Sequence, residues 1–215
     1  VRSVSAGNVV RDIFEGLVSE AADGRLIPGV AASWQISDDG RIYVFSLRAD
    51  ARWSNGEALT ATDFVYALRR SLSPSTASPS AALLAPIRGA EALMSGKGSA
   101  EHLGVSALDD RTLQIELERP TPYFPGLLTN PVAYPVHRAS LEREGSQFTR
   151  AGKLVSNGAY VLDEWALQSH VRLRRNAQYW NARAVAIEAV MHLVTEDLNA
   201  EFQRFRAGGL HITEQ

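Results

Sequence analysis

The sequence contains no cysteine. That excludes disulfides, thiolate catalysis and cysteine-bound zinc, while leaving the compartment open. It has no long hydrophobic run: nothing approaches the roughly 20 apolar residues of a membrane-spanning helix, so the chain is not expected to span a membrane. It has no excess of charge of either sign. Lys and Arg number 22 against 24 Asp and Glu, for a formal net charge of −2, and the signs are mixed along the chain. The lack of a basic block argues against nucleic acid as a partner. The first residues, VRSVSAGN, include no initiating Met and no signal-peptide pattern, as expected of a processed or trimmed product.

What is present is ordinary globular composition over 215 residues, 45% hydrophobic and 21% charged. That is room for one large domain or two small ones. Val9, Ile13, Phe14 and Leu17 fall at helical spacing within residues 8–18. QISDDGRIYVFSLR reads as a hairpin turning at Asp39-Gly40, with Tyr43, Phe45 and Leu47 on one strand face. WSNGEALTATDFVYALRR then turns at Ser54-Asn55-Gly56 and starts a helix. Thr60 with Asp63, or Thr62 itself, is its candidate cap, and Phe64, Leu68 and Leu72 are its apolar stripe.

Pro74 and Pro79 break that helix. Residues 81–94 look helical again, apart from Pro86. DDRTLQIELERP is a strand with Leu113, Ile115 and Leu117 alternating. Pro120, Pro122 and Pro125 forbid regular structure to about residue 136, and HRASLEREG is a short helix. GAYVLDEW and SHVRLRRN form a strand pair, and IEAVMHLV is an apolar strand expected to be central. DLNAEFQRFRAGG is a helix with Leu198, Phe202 and Phe205 inward and Gly208-Gly209 as its stop. LHITEQ begins one more strand. There is no internal repeat. Interleaved helices and strands with an early hairpin-rich part indicate a mixed α/β architecture with an inserted β-rich subdomain.

Positive signs of catalysis are missing. His102, His137, His170, His192 and His211 show no metal-ligand spacing, and His192 reads as a sheet histidine. GxSxG, Walker A and GxGxxG patterns do not occur. Gly96-Lys97-Gly98 is a loop turn. Asp38-Asp39 and Asp109-Asp110 are acidic pairs beside turns, where turn initiation accounts for them better than acid–base chemistry. Trp34, Trp53, Trp165 and Trp180 read first as core or interface anchors and second as the floor of a ligand cleft. No enzyme activity, cofactor or metal is expected.

The ordered segments PGVAASWQISDDGRIYVFSLRADARWSNGEALTATDFVYALRRSLSP, TASPSAALL, LGVSALDDRTLQIELERPTPYFPGLL, SNGAYVLDEW, NAQYWN and FRAGGLHI resemble the family 5 extracellular solute-binding proteins. These are the dipeptide- and oligopeptide-binding components of bacterial ABC importers. The resemblance covers essentially the whole chain and is closest to the oligopeptide binders. It implies a type II periplasmic-binding-protein fold whose two lobes close by hinge motion on an extended peptide. Main-chain bonds would hold the peptide like an added strand, and hydrated pockets would take its side chains.

By the same resemblance the chain is the first lobe with its inserted small subdomain, the second lobe being absent. Residues 1–15 and 140–215 would belong to lobe I and residues 16–139 to the small subdomain. Trp53 and Asn55-Gly56 would be scaffold rather than binding groups. Short peptides and membrane permease subunits are the implied partners. The periplasm is the implied location, or the cell exterior by membrane anchoring in a Gram-positive cell.

Carried over position by position, the implied ligand contacts are Arg2, Val4 (through main chain), Ser5, Ser80, Asn130, Glu214 and Gln215. Three depart from the oligopeptide-binding pattern. Arg2 stands where relatives carry an acid, Ser80 where a tyrosine follows ASP, and Asn130 where a histidine precedes proline. The alternatives are a truncated paralogue acting as a protein-interaction module, and a family 5 receptor for a non-peptide solute such as a nickel chelate, haem, sugar or opine.

Overall fold

The computed structural model describes residues 4–195 and 197–213. Helix α1 (Val4–Ile13) leads to a short pair, β1 (Val18–Glu20) and β2 (Leu26–Pro28). The expected helix over 8–18 therefore ends early. Leu17 is buried at a bend just before β1, where the carbonyls of Gly16 and Leu17 accept bonds from Val30, Gly29 and Ala31. Strands β3 (Ala31–Ile36) and β4 (Ile42–Leu47) form the expected hairpin. Gly40 supplies the positive φ, 68°, that this turn needs.

Helix α2 (Ala61–Leu72) is capped as expected: the Asp63 carboxylate accepts the Thr60 N–H at 2.8 Å, half of a Thr60–Asp63 capping box. Phe64, Leu68 and Leu72 are all buried. Asp63 also accepts from Trp53 Nε1 at 3.3 Å, so cap and strand end share one carboxylate, and Trp53 is a core residue.

Between α2 and the next strands the chain is less helical than expected. A 3-10 turn at Ala81–Leu84 and the short α3 (Ala90–Met94) are separated by Pro86 and by a bridge pairing Ile87 with Leu117. Strand β5 (Val105–Asp109), not foreseen, pairs with β6 (Thr112–Glu116), which was. The antiparallel sheet runs β3-β4-β6-β5. Its core face packs Tyr43, Phe45, Leu113 and Ile115 with Phe64 and Leu68 in one buried cluster, and α2 lies against β5 and β6. The proline-rich stretch is not wholly irregular. It holds α4 (Phe124–Leu127) and a 3-10 turn at Pro131–Ala133, each with proline in its first turn, where a missing N–H costs nothing.

Helix α5 (Arg138–Glu144) precedes a second, smaller sheet, β7 (Tyr160–Ala166), β8 (His170–Arg175) and β9 (Ala189–Leu193), in that order. Its cluster of Ile13, Tyr160 and Leu173 takes in Val9 and Phe14, from α1 and the residue after it. Two expectations fail here. Strand β9 is an edge among the described residues, with β8 central. Trp165 is 54% exposed rather than a core anchor. Helix α6 (Leu198–Arg206) forms and stops at Gly208, φ 76°. Its stripe does not turn inward, since Leu198, Phe202 and Phe205 are all exposed. Residues 210–213 form no strand. The amphipathic pattern gave the right periodicity, but that face stays open to solvent.

Candidate functional site

Three of the expected contact residues, Arg2, Glu214 and Gln215, lie outside the described residues, as do the side chains of Val4 and Ser5. The remaining positions come from separate parts of the chain and lie on elements that touch in series. Val4 and Ser5 open α1, which touches the turn at 131–133. That turn in turn touches the one at 81–84. Ser80 and Asn130 begin these two turns. Ser80 is half-buried, and its carbonyl accepts from Leu83 N at 3.1 Å. Asn130 Oδ1 accepts from Val132 N at 3.1 Å, a capping bond that leaves the amide N–H groups unused by the cap.

Beside these turns runs an open groove of about 750 Å³, lined in part by Leu83, Pro86, Glu118, Tyr123 and Leu127. The Tyr123 ring is 68% exposed. Glu118 is fixed at the rim by a 2.8 Å bond from Gly89 N.

A second constellation joins the two sheets' clusters. Glu15 follows α1 and lies between them. Its Oε1 accepts from Tyr179 Oη and its Oε2 from Trp180 Nε1, both at 2.6 Å. The Arg48 guanidinium, just past β4, lies 3.5 Å from the Trp180 ring centroid and donates to Gly29 O at 2.7 Å. The Glu15 main chain pairs with the buried Asn157 side chain: Nδ2 donates to Glu15 O at 2.8 Å, and Glu15 N donates to Oδ1 at 3.3 Å.

Alongside, Gly158 N donates to Ile13 O. A Cβ on Gly158 would stand 2.5 Å from the Ile13 carbonyl carbon, so only glycine permits this approach. Ser54 and Ser156 bridge the same seam, through Ser54 N to Ser156 O at 2.7 Å and Ser156 N to Ser54 Oγ at 3.1 Å. Burial holds the Glu15 carboxyl above its usual range, outweighing the opposing pull of Tyr179, Trp180 and Arg48. The Tyr179 phenol is pushed well up by burial and by that carboxylate. In the sequence NAQYWN stands out only within the family resemblance, and Glu15 carries no motif. An acid closing an apolar helix run was the one available signal.

Histidine chemistry is tied to structure. His137 is buried; its Nδ1 accepts from Ser140 N, so Nε2 carries the proton it shares with Glu57 at 2.7 Å. His192 sits in β9, as expected of a sheet histidine, 3.0 Å from Asp12. Ser169 Oγ lies 3.0 Å from His170 Nδ1, and His170 Nε2 lies 3.5 Å from Glu164. That trio sits at the β7–β8 hairpin, where Ser169 and Glu164 are exposed to water rather than gathered round a cleft, so it does not make an activated nucleophile. Among the described residues no three His, Cys, Asp or Glu side chains form a metal site, and no helix is long and apolar enough to cross a membrane.

A family model described as bacterial extracellular solute-binding proteins, family 5 Middle, matches residues 25–215. The periplasmic oligopeptide-binding protein OppA of Escherichia coli is 40% identical over 99% of this chain and 39% of its own length. The probable deoxycholate-binding periplasmic protein YgiS of Escherichia coli is 38% identical over 99% of this chain and 40% of its own. The crystal structure of Haemophilus influenzae OppA in complex with the peptide RPPGFSPFR superposes with a TM-score of 0.95 at 35% identity, over 98% of this chain and 41% of that one. The chain thus spans about two-fifths of the length of these relatives, which matches the first lobe, with its inserted β-rich subdomain, of a type II periplasmic-binding-protein fold.

Proposed function

Because the chain belongs to the bacterial extracellular solute-binding proteins of family 5, we propose that it forms one wall of a peptide-binding cleft in the receptor component of an ABC-type importer. The observation that carries this reading is the likeness, over nearly the whole chain, to an oligopeptide-binding protein whose structure holds a peptide. Residues 1–15 and 140–215 make up the lobe I part and residues 16–139 the small subdomain. The two buried clusters, one per sheet, support that division.

The wall is lined by Arg2, Val4, Ser5, Ser80, Asn130, Glu214 and Gln215. A peptide lies extended along it and bonds to main chain, which reads any sequence alike. Ser80 in place of a tyrosine leaves more room at the start of the 81–84 turn. The setting is the periplasm, and the partners are short peptides and the permease. The chemistry is capture and release, without bond breaking. One wall buries less of a peptide than a closed cleft does, so affinity of this chain alone is weak.

Two observations favour other readings. The relative named as probably deoxycholate-binding shows a comparable identity, which supports a non-peptide solute at a cleft enlarged by Ser80. The exposed face of α6, together with Trp165, Leu167 and Met191, supports an interaction module. Native mass spectrometry with a pool of two- to five-residue peptides, and in parallel with deoxycholate, separates the three. Peptide adducts on a monomer are the expected result. Deoxycholate adducts alone, or a stable dimer that takes up neither, would overturn it.

A further inference from the structure

We propose that Glu15 is a positioning residue: through Tyr179, Trp180 and Arg48 it ties the small subdomain to the lobe I sheet and so fixes the shape of the cleft wall. The wall itself rests on the reading above; the tie does not.

The Glu15 carboxylate takes both donors of the Tyr179-Trp180 pair, and Arg48 joins them through the Trp180 ring. Glu15 lies 164 and 165 residues from its two donors, Tyr179 and Trp180. Arg48 clamps Trp180 from the small subdomain's side while bonded to Gly29 O. Gly29 and Val30 in turn donate to Leu17 O and Gly16 O, immediately after Glu15. Arg48 therefore holds, through Gly29, a segment bonded to the chain just after Glu15.

The connection to the wall runs both ways from this residue. Upstream is α1, which carries Val4 and Ser5. Downstream, a Cβ on Gly16 would stand 2.8 Å from the ring of Tyr134, the residue that closes the 131–133 turn begun by Asn130. Moving the chain at Glu15 shifts α1 against the Asn130 turn.

The tie has a definite pH sense. The charged and titratable groups facing Glu15 are Arg48, the neutral phenols of Tyr179 and Tyr134, and Arg11 beside Tyr134. In the closed junction the Glu15 carboxyl is held above its ordinary value, chiefly by burial. Opening the junction returns it to water and to that ordinary value. The closed form therefore binds the proton better, and the junction is tightest in acid. It loosens as pH rises from the ordinary glutamate value through the raised one, and is level above that. A protonated Glu15 keeps both bonds by donating to Tyr179 Oη while still accepting from Trp180 Nε1. A glutamine does the same, whereas alanine leaves the indole N–H without its acceptor.

Hydrogen exchange of the Gly29, Val30 and Gly158 amides, read as protection factors from pH 4 to 8, tests this. In the unaltered chain protection is expected to fall across the Glu15 titration and then level. Glu15→Gln is expected to keep the acid-side protection and lose the pH dependence. Glu15→Ala is expected to lose about tenfold or more in protection at every pH. Equal protection in all three, or a pH profile that survives in Glu15→Gln, would overturn the tie. Binding of trialanine, measured alongside, addresses the other claim. A loosened junction with unchanged trialanine binding would sever the tie from the wall. An absence of trialanine binding in the unaltered chain, with the exchange pattern intact, would strike the peptide reading alone.

Discussion

Helices α2 and α6 are written alike and end in opposite environments. Each has a polar N-cap, Thr60 with Asp63 in one and Asp197 accepting from Asn199 N in the other. Each carries arginines in its last turn and phenylalanine on an apolar stripe. Yet Phe64 is 0% exposed and Phe202 is 53% exposed. The first helix has the β3-β4-β6-β5 sheet beneath it. The second leaves its stripe exposed. The contrast shows that capping and periodicity specify a helix and its inward face, while burial depends on what the rest of the molecule puts opposite that face.

The contrast is broken most directly by truncating both phenylalanines. Phe64→Ala is expected to cost about 3–5 kcal/mol in denaturant unfolding, the sum of lost burial and a cavity in a close-packed cluster. Phe202→Ala is expected to stay within about 0.5 kcal/mol in this chain. A comparable loss at Phe202 would mean that α6 is buried in solution.

A smaller effect sharpens the comparison at the helix starts. Asp63 serves the cap and Trp53 together, whereas Asp197 caps its own turn through Asn199 N. Asp63→Ala is therefore expected to cost about 1–2 kcal/mol by thermal or chemical unfolding, at the upper part of the range for a cap. Asp197→Ala is expected to cost less, since its helix end is exposed.

The smallest effect concerns a link inside the first region. The His137 ring holds the exposed Glu57 carboxyl below its usual value. A lowered carboxylate contributes stability that is complete above the ordinary glutamate value and is lost as pH falls through the lowered one. A Glu57→Gln variant should lack that step, which a comparison of unfolding midpoints from pH 2 to 6 would reveal. Unaltered chain and variant giving parallel curves would remove the assignment.

Much of the fold was legible because its signals are local. Asp39-Gly40 specifies a turn by its conformational preference, and Thr60-Asp63 a helix start by its hydrogen bonds. Alternation at Leu113, Ile115 and Leu117 marks a strand with one wet face. Strand β5 was missed because SALD within it lacks a long apolar alternation; pairing with β6 makes it a strand. The single turns among the prolines were missed because proline forbids a helix interior but suits its first turn. At the candidate site, Ser80 and Asn130 were proposed only through resemblance, and Glu15 was not singled out at all, because its donors lie far along the chain.

The sequence by itself determined where turns, caps and amphipathic faces lie, since these depend on the φ preferences and hydrogen-bonding groups of adjacent residues. It also marked the family, through ordered segments. Only the tertiary structure decided that Phe64 is enclosed and Phe202 is not, that β9 is an edge among the described residues, and that one carboxylate takes Tyr179 and Trp180 while Arg48 stacks on that indole. Burial and long-range polar pairing depend on which surfaces the whole chain brings face to face, and no local pattern encodes that.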